Sequence, residues 1–307
     1  MRRHAWIAAL AGTLAARVVA AAAAGAIGVP AVIGPPAGEL APLPEQPTAE
    51  QIIERNVAAR GGADAWRRIQ TMVWAGHMES ADPNLPRLGF LLEQKRPNKT
   101  RFEVASLAQR TLRIFDGAHG WKARPNRDGS LDIRPYTAQE LTFARQAPGL
   151  DGPLIDHLDK GILVDFAGTE SVDGRSAYRL HVRLPAGEQQ DLWIDAESFL
   201  EIRYDRTSYT ANGSPSVVRV AFRDYQTVEG LKVPGTLEIG AGPAGADSGR
   251  VPDRMVIERI ALNAPLDDKT FDRPGGGRRP RMATVEITPP PMDPRQAFGP
   301  SSAPPTR

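Results

Sequence analysis

The chain has 307 residues, 41% hydrophobic and 24% charged, with a formal net charge of +2. That balance suits a globular protein and offers no dense basic surface for nucleic acid. Cysteine is absent, which excludes disulfides, thiolate metal sites, Cys nucleophiles and a lipid attached to an N-terminal cysteine.

Residues 1–31 read as an export signal. Arg2, Arg3 and His4 form a basic start, Ala5 to Ala16 an apolar stretch, and Ala20 to Ala26 offers small-residue cleavage patterns. The expected location is the periplasm, with the signal cleaved; a retained anchor is the alternative, since the apolar stretch joined across Arg17 is long enough to span a bilayer. Residues 32–47, rich in Pro, Gly and Ala, read as a linker.

Thr48 then opens a helix, with Gln51 three places on completing a capping-box pattern. Ile52, Ile53 and Val57 give it one apolar stripe, and Gly61-Gly62 ends it. A short helical turn follows over Ala63 to Ile69 and presents Trp66. From Met72 the hydrophobic period changes to two, the repeat of a pleated strand. Met72, Trp74 and Met78 share one face; Leu88, Phe90 and Leu92, then Phe102 and Val104, then Leu112 and Ile114 continue the pattern to the turn Asp116-Gly117. Thr137 to Gln146 reads as a helix, and Gly152 to Leu158 as a second short one.

Strands resume near Leu163. Tyr178, Leu180, Val182 and Leu184 alternate with Arg179, His181 and Arg183; Leu200, Ile202 and Tyr204 with Glu201, Arg203 and Asp205; Val218, Val220 and Phe222 with Arg219 and Arg223. Turn pairs at Asp173-Gly174, Gly187-Glu188, Ala196-Glu197, Asn212-Gly213 and Glu229-Gly230 separate them closely, which favours antiparallel hairpins. A last strand spans Met255 to Leu262, and residues 275–307 form a Gly/Pro-rich tail expected to be disordered. One domain, 48–274, remains.

About ten antiparallel strands and few helices imply a mainly β, α+β fold with strong curvature, because so little helix cannot cover a flat sheet. The inward apolar faces then fill either a dry core or a cavity. Other chemical motifs fail on context. Gly240-Ala241-Gly242-Pro243-Ala244-Gly245 fits G-x-G-x-x-G, but Asp247, Ser248, Gly249 and Pro252 follow where a dinucleotide site needs a helix. Asp156, His157 and Asp159 read as a solvated helix end rather than a metal site, and no G-x-S-x-G elbow or His pair at helical spacing occurs. The expectation is therefore no enzyme, no cofactor and no metal.

Three runs carry a family resemblance. Gly89-Phe90 and Lys95-Arg96-Pro97-Asn98 with Phe102, then Phe115-Asp116-Gly117 with Trp121, then Asp267 with Phe271 and Pro274, resemble the LolA/LolB-like superfamily of periplasmic lipoprotein carriers, in which KRPN-x-x-x-(W/F), DG-x-x-x-W and D-x-x-x-F-x-x-P recur. The resemblance implies a strongly curved, open antiparallel half-barrel whose helical lid covers an apolar cavity for acyl chains. It also implies a lid-closing role for Arg96, whose planar fork suits helix-terminal carbonyls. On the strand faces, the expected ligand-binding residues are Trp74, Phe90, Leu92, Phe102, Leu180, Ile202 and Phe222. Expected partners are lipid or lipoprotein acyl chains, with the protein a monomer. The alternative is an envelope sensor or adaptor that uses the same half-barrel to engage a protein; a hydrolase is the more distant one.

Overall fold

The computed structural model describes residues 46–105, 110–126, 128–147, 149–209, 215–243 and 251–275. The expected export signal, most of the linker, the tail beyond residue 275 and the Asn212-Gly213 turn lie outside these residues. Among the described residues, no helix is long and apolar enough to cross a membrane.

Helix α1 (Ala49–Ala59) begins as its sequence dictates. Thr48 Oγ1 accepts from the Gln51 N–H and the Gln51 side chain accepts from the Thr48 N–H, a closed capping box. Gly61 and Gly62 end it at φ +108° and +88°, a region costly for residues with a Cβ. Helix α2 (Ala63–Arg67) follows and buries Trp66, which is 2% exposed.

Fifteen strands come next: β1 (Thr71–Glu79), β2 (Leu88–Lys95), β3 (Lys99–Ala105), β4 (Arg110–Phe115), β5 (Gly120–Pro125), β6 (Leu131–Pro135), then, after helix α3 (Ala138–Gln146), β7 (Leu163–Val172), β8 (Arg175–Arg183), β9 (Gln189–Asp195), β10 (Glu201–Tyr209), β11 (Pro215–Arg223), β12 (Gln226–Val228), β13 (Leu231–Val233), β14 (Thr236–Pro243) and β15 (Asp253–Leu262). A 3-10 turn at Asp268–Phe271 closes the described chain and buries Phe271 completely. Thirteen strands form one antiparallel sheet in the order β6-β5-β4-β3-β2-β1-β15-β14-β11-β10-β9-β8-β7, and β12-β13 is a separate ribbon. The sheet is open: β6 and β7 are its two ends and do not pair with each other.

Its curvature follows from one helix. Eight strand spacings separate β5 from β10, about 38 Å on a flat sheet at roughly 4.8 Å each. Yet α3, with 9 residues and about 13 Å long, touches both. Its Glu140 carboxylate meets Lys122 of β5, and its Phe143 ring lies under the Arg206 guanidinium of β10, 4.8 Å from the ring centroid. Only a sheet curled into a half-barrel brings those strands within reach.

Three apolar clusters line the concave face. Ile52 and Ile53 of α1 pack on Val164, Leu180, Val182, Leu192 and Ile194. Phe90, Val104, Val218, Val220, Leu237, Met255 and Ile257 form the middle cluster. Trp66 of α2 packs with Met72, Leu231, Val233 and Leu262.

Three departures from the sequence reading have physical causes. The stretch Gly152 to Leu158, expected helical, is a series of turns, with Gly152 at φ +77° and Asp156 at +51° breaking any helical run. Strands β5 and β6 were not expected; Lys122, Arg124, Asp132 and Arg134 dilute their apolar alternation. The third departure is at β10. Its register slips between Glu201 and Arg203, a bulge with Ile202 as the extra residue. Ile202 is therefore out of phase with Tyr204, and it packs in a fourth cluster with Val172, Ala177 and Trp193 on the opposite face of the sheet.

Candidate functional site

Under the lid lies a pocket of about 270 Å³. Trp74 of β1, Leu192 of β9, Tyr204 of β10 and Phe222 of β11 line its sheet side, and Phe143, Ala147, Gly149, Leu150, Gly152 and Pro153 form its roof. The roof is thus the end of α3 and the irregular segment after it. Because the Thr137 hydroxyl and the Glu140 carboxylate close a second capping box, α3 starts at a fixed point.

The lid is tied down at both ends. Glu140 is 3% exposed and accepts from Lys122 Nζ at 2.8 Å and from Arg113 at 3.1 Å. Burial alone would push its carboxyl up, but the hydrogen bonds from Lys122, Thr137 and Arg113 outweigh it and hold Glu140 below the usual carboxylate value. At the other end, Asn98 Nδ2 donates to the Ala144 carbonyl at 2.8 Å, an orphan acceptor of the last helical turn.

Asn98 belongs to the β2-β3 turn, and its neighbour Arg96 works on the second helix. Arg96 Nε donates to the Ile69 carbonyl at 2.7 Å, and one terminal nitrogen donates to the Trp66 carbonyl at 3.0 Å and to Asp151 at 2.9 Å. The Lys95-Arg96-Pro97-Asn98 run therefore gathers α2, the end of α3 and the roof segment onto one hairpin. Lys95 extends this to the segment after β15, donating to the Leu266 carbonyl and pairing with Asp268.

Polar groups line the pocket at two places. Arg60, 6% exposed, stacks over Trp66, pairs with Glu201 at 3.3 Å and donates to the Asp151 carbonyl. The Tyr225 hydroxyl donates to the Glu201 carbonyl at 2.9 Å, and Lys232, whose backbone N–H donates to the Arg60 carbonyl at 3.1 Å, also lines the wall. Elsewhere on the wall, Glu188 faces Arg206; burial pushes its carboxyl up, against the pull of the Arg206 charge. Burial also pushes the Tyr204 and Tyr225 phenols up, so both stay protonated at neutral pH.

Of the residues expected to bind ligand, Trp74 and Phe222 line this pocket. Phe90, Leu92 and Phe102 pack beside them in the middle cluster. Leu180 is fully buried beneath α1, and Ile202 is on the far face, outside the pocket. Sequence reasoning missed the roof residues and Arg60, Glu201, Tyr225 and Lys232. No periodic pattern marks the roof; a lone cation at the end of α1, before Gly61-Gly62, was the one signal for Arg60.

The other motifs are absorbed by structure. Gly240 and Gly242 are within strand β14, and Gly245 lies outside the described residues. Asp156 pairs with Arg67, and His157 Nδ1 meets the Ile162 carbonyl. No cluster of three or more His, Asp or Glu side chains suited to a metal ion occurs among the described residues.

No family model and no curated protein matches the sequence. Solved structures do resemble it. A DUF1329 family protein from Desulfovibrio piger is 14% identical, with a TM-score of 0.47 over 73% of this chain and 96% of that one. A LolA superfamily protein from Nitrosomonas europaea is also 14% identical, with a TM-score of 0.46 over 74% and 98%. A domain described as outer membrane lipoprotein-sorting, from Vibrio parahaemolyticus, is 9% identical, with a TM-score of 0.46 over 72% and 94%.

Proposed function

We propose that this chain is a periplasmic carrier of lipid or lipoprotein acyl chains, held in the pocket under α3 and the 147–153 segment. The observation that carries the reading is the pocket itself: Trp74, Leu192, Tyr204 and Phe222 face Phe143 and Leu150 across it. An acyl chain gains about 0.8 kcal/mol per buried methylene, so a palmitoyl chain offers on the order of 12 kcal/mol before ordering costs. Binding on that scale needs no elaborate polar site. Release needs the lid to move, and the Arg96, Asn98 and Glu140 contacts set how firmly it is held.

Photo-crosslinking tests this reading. A phospholipid with a diazirine in its acyl chain, added to the purified full chain, labels peptides carrying Trp74, Phe143, Tyr204 and Phe222. Labelling confined to the outer face around Trp193 would remove the pocket from the account.

A second reading, an envelope sensor or adaptor, has one observation in its favour. Each end strand, β6 and β7, pairs on only one side within the open sheet, and an unpaired edge accepts an extended partner segment.

A further inference from the structure

The polar groups along the pocket wall are not needed to hold an alkyl chain, and their balance is uneven. On β10, Glu201, Tyr204 and Arg206 all line the pocket. The β9 partners of Glu201 and Arg206, Ile194 and Gln190, are four residues apart, so the two polar stretches stand about 13 Å apart at roughly 3.3 Å per residue. At the Arg206 stretch one cation faces one carboxylate, Glu188. At the Glu201 stretch Arg60 pairs with the one carboxylate, and a second lining cation, Lys232, follows on β13, its backbone N–H donating to the Arg60 carbonyl at 3.1 Å. Arg60 spends one terminal nitrogen on Glu201 and the Asp151 carbonyl, while its buried Nε has no hydrogen-bond partner. Lys232 has no ion-pair partner among the described residues. A cation in excess beside low-dielectric walls attracts an anion, and a spare buried N–H gains from an acceptor.

Size limits the ligand. A volume of about 270 Å³ falls just below the roughly 300–1,000 Å³ of pockets that take one small ligand. The pocket is too small for three acyl chains.

We propose that the resident ligand is a single-chain amphiphile with an anionic head, the head held between Arg60 and Lys232 and the chain laid along Tyr204, Phe222 and Trp74 toward Phe143. This rests on the carrier reading above and narrows it. Two sources share the chemistry: the carboxylate of a free fatty acid and the phosphate of a lysophospholipid.

Trp66 and Trp74 line the pocket, so tryptophan emission, checked by native mass spectrometry, reports binding to the full chain. Palmitate, palmitoyl lysophosphatidylglycerol, hexadecanol and a triacylated lipopeptide are titrated into delipidated protein. The proposal expects at least one of the two anions to bind about tenfold or more tighter than hexadecanol, about the strength of one hydrogen bond to a charged group. The tighter anion names the source. Lys232→Glu, and more mildly Lys232→Gln, reduces that preference by about tenfold. Equal affinity for palmitate and hexadecanol, or an unchanged preference in Lys232→Glu, overturns the anionic-head assignment. Binding of the lipopeptide with failure of every single-chain ligand overturns the single-chain assignment and leaves the carrier reading standing. Failure of all four sinks both.

Discussion

The Arg96 guanidinium stands 2.9 Å from the Asp151 carboxylate, joining the β2-β3 hairpin to the segment that roofs the pocket. Asp151 is 2% exposed and also receives Lys160 at 2.6 Å. The same guanidinium satisfies the Trp66 and Ile69 carbonyls at the end of α2. Arg96 is thus a single cation on which two covering elements depend.

Replacing Arg96 by Ala takes the side-chain donor from the Ile69 carbonyl, leaves the Trp66 carbonyl with backbone N–H donors alone and leaves the Asp151 carboxylate with Lys160 alone. The expected loss is about 1.5–3 kcal/mol in urea unfolding, the range of a hydrogen bond to a charged group. Bound lipid should exchange faster as well. Arg96→Lys keeps the charge but not the planar fork, so it restores only part of both. Unchanged stability in Arg96→Ala would show that the hairpin does not hold the lid.

Glu140 makes the lid sensitive to acid. Its folded carboxyl is held below the value of 4.5 expected in the unfolded chain. A group depressed in the folded state contributes stability that is complete above its unfolded pKa and lost as pH falls through its folded pKa. Wild-type stability should therefore drop below about pH 4.5, more steeply than in Glu140→Gln. The difference between the two curves is the informative quantity, since Asp191 and Asp195 are depressed as well. Parallel curves would mean that Glu140 does not titrate against Lys122 and Arg113.

Phe222 lies where two clusters and the pocket meet, touching the Tyr204 ring at a centroid distance of 5.9 Å. It is half-buried, so Phe222→Glu can turn its charge toward the pocket while the strand stays paired. Lipid uptake should be abolished with the β-sheet circular dichroism retained. Retained uptake would take β11 out of the lining.

Gly76 has no room for a side chain. A Cβ there would lie 2.0 Å from the Val256 carbonyl oxygen and 3.0 Å from the Phe90 ring. The neighbouring β15 carries a bulge at this level, which presses its backbone against β1. Gly76→Ala should destabilise by about 3 kcal/mol or more, an overpacking cost against backbone that cannot yield. A melting temperature equal to wild type would show that the bulge relaxes freely.

Much of the frame was legible because local rules and tertiary packing agree. The capping boxes at Thr48 and Thr137 form as their spacing dictates, and strands with clean alternation, such as Tyr178 to Leu184, lie as expected. Phase errors account for what was not legible. A bulge reverses which side chains face inward, and nothing in Leu200-Glu201-Ile202-Arg203 distinguishes a bulged from a regular strand. The pocket was legible only in part, at Trp74 and Phe222, because half its wall comes from a loop and from single polar residues distant in sequence. Arg96 was legible only through its motif; its two carbonyls and Asp151 meet it only in three dimensions.

Native mass spectrometry of the full chain, purified gently from a bacterial envelope and then offered phospholipid or a triacylated peptide, reads lipid carriage at the level of the intact complex. A carrier retains lipid at one-to-one stoichiometry and loses it in Phe222→Glu. A clean ligand-free mass with no uptake would contradict carriage and leave the concave face as a packed core.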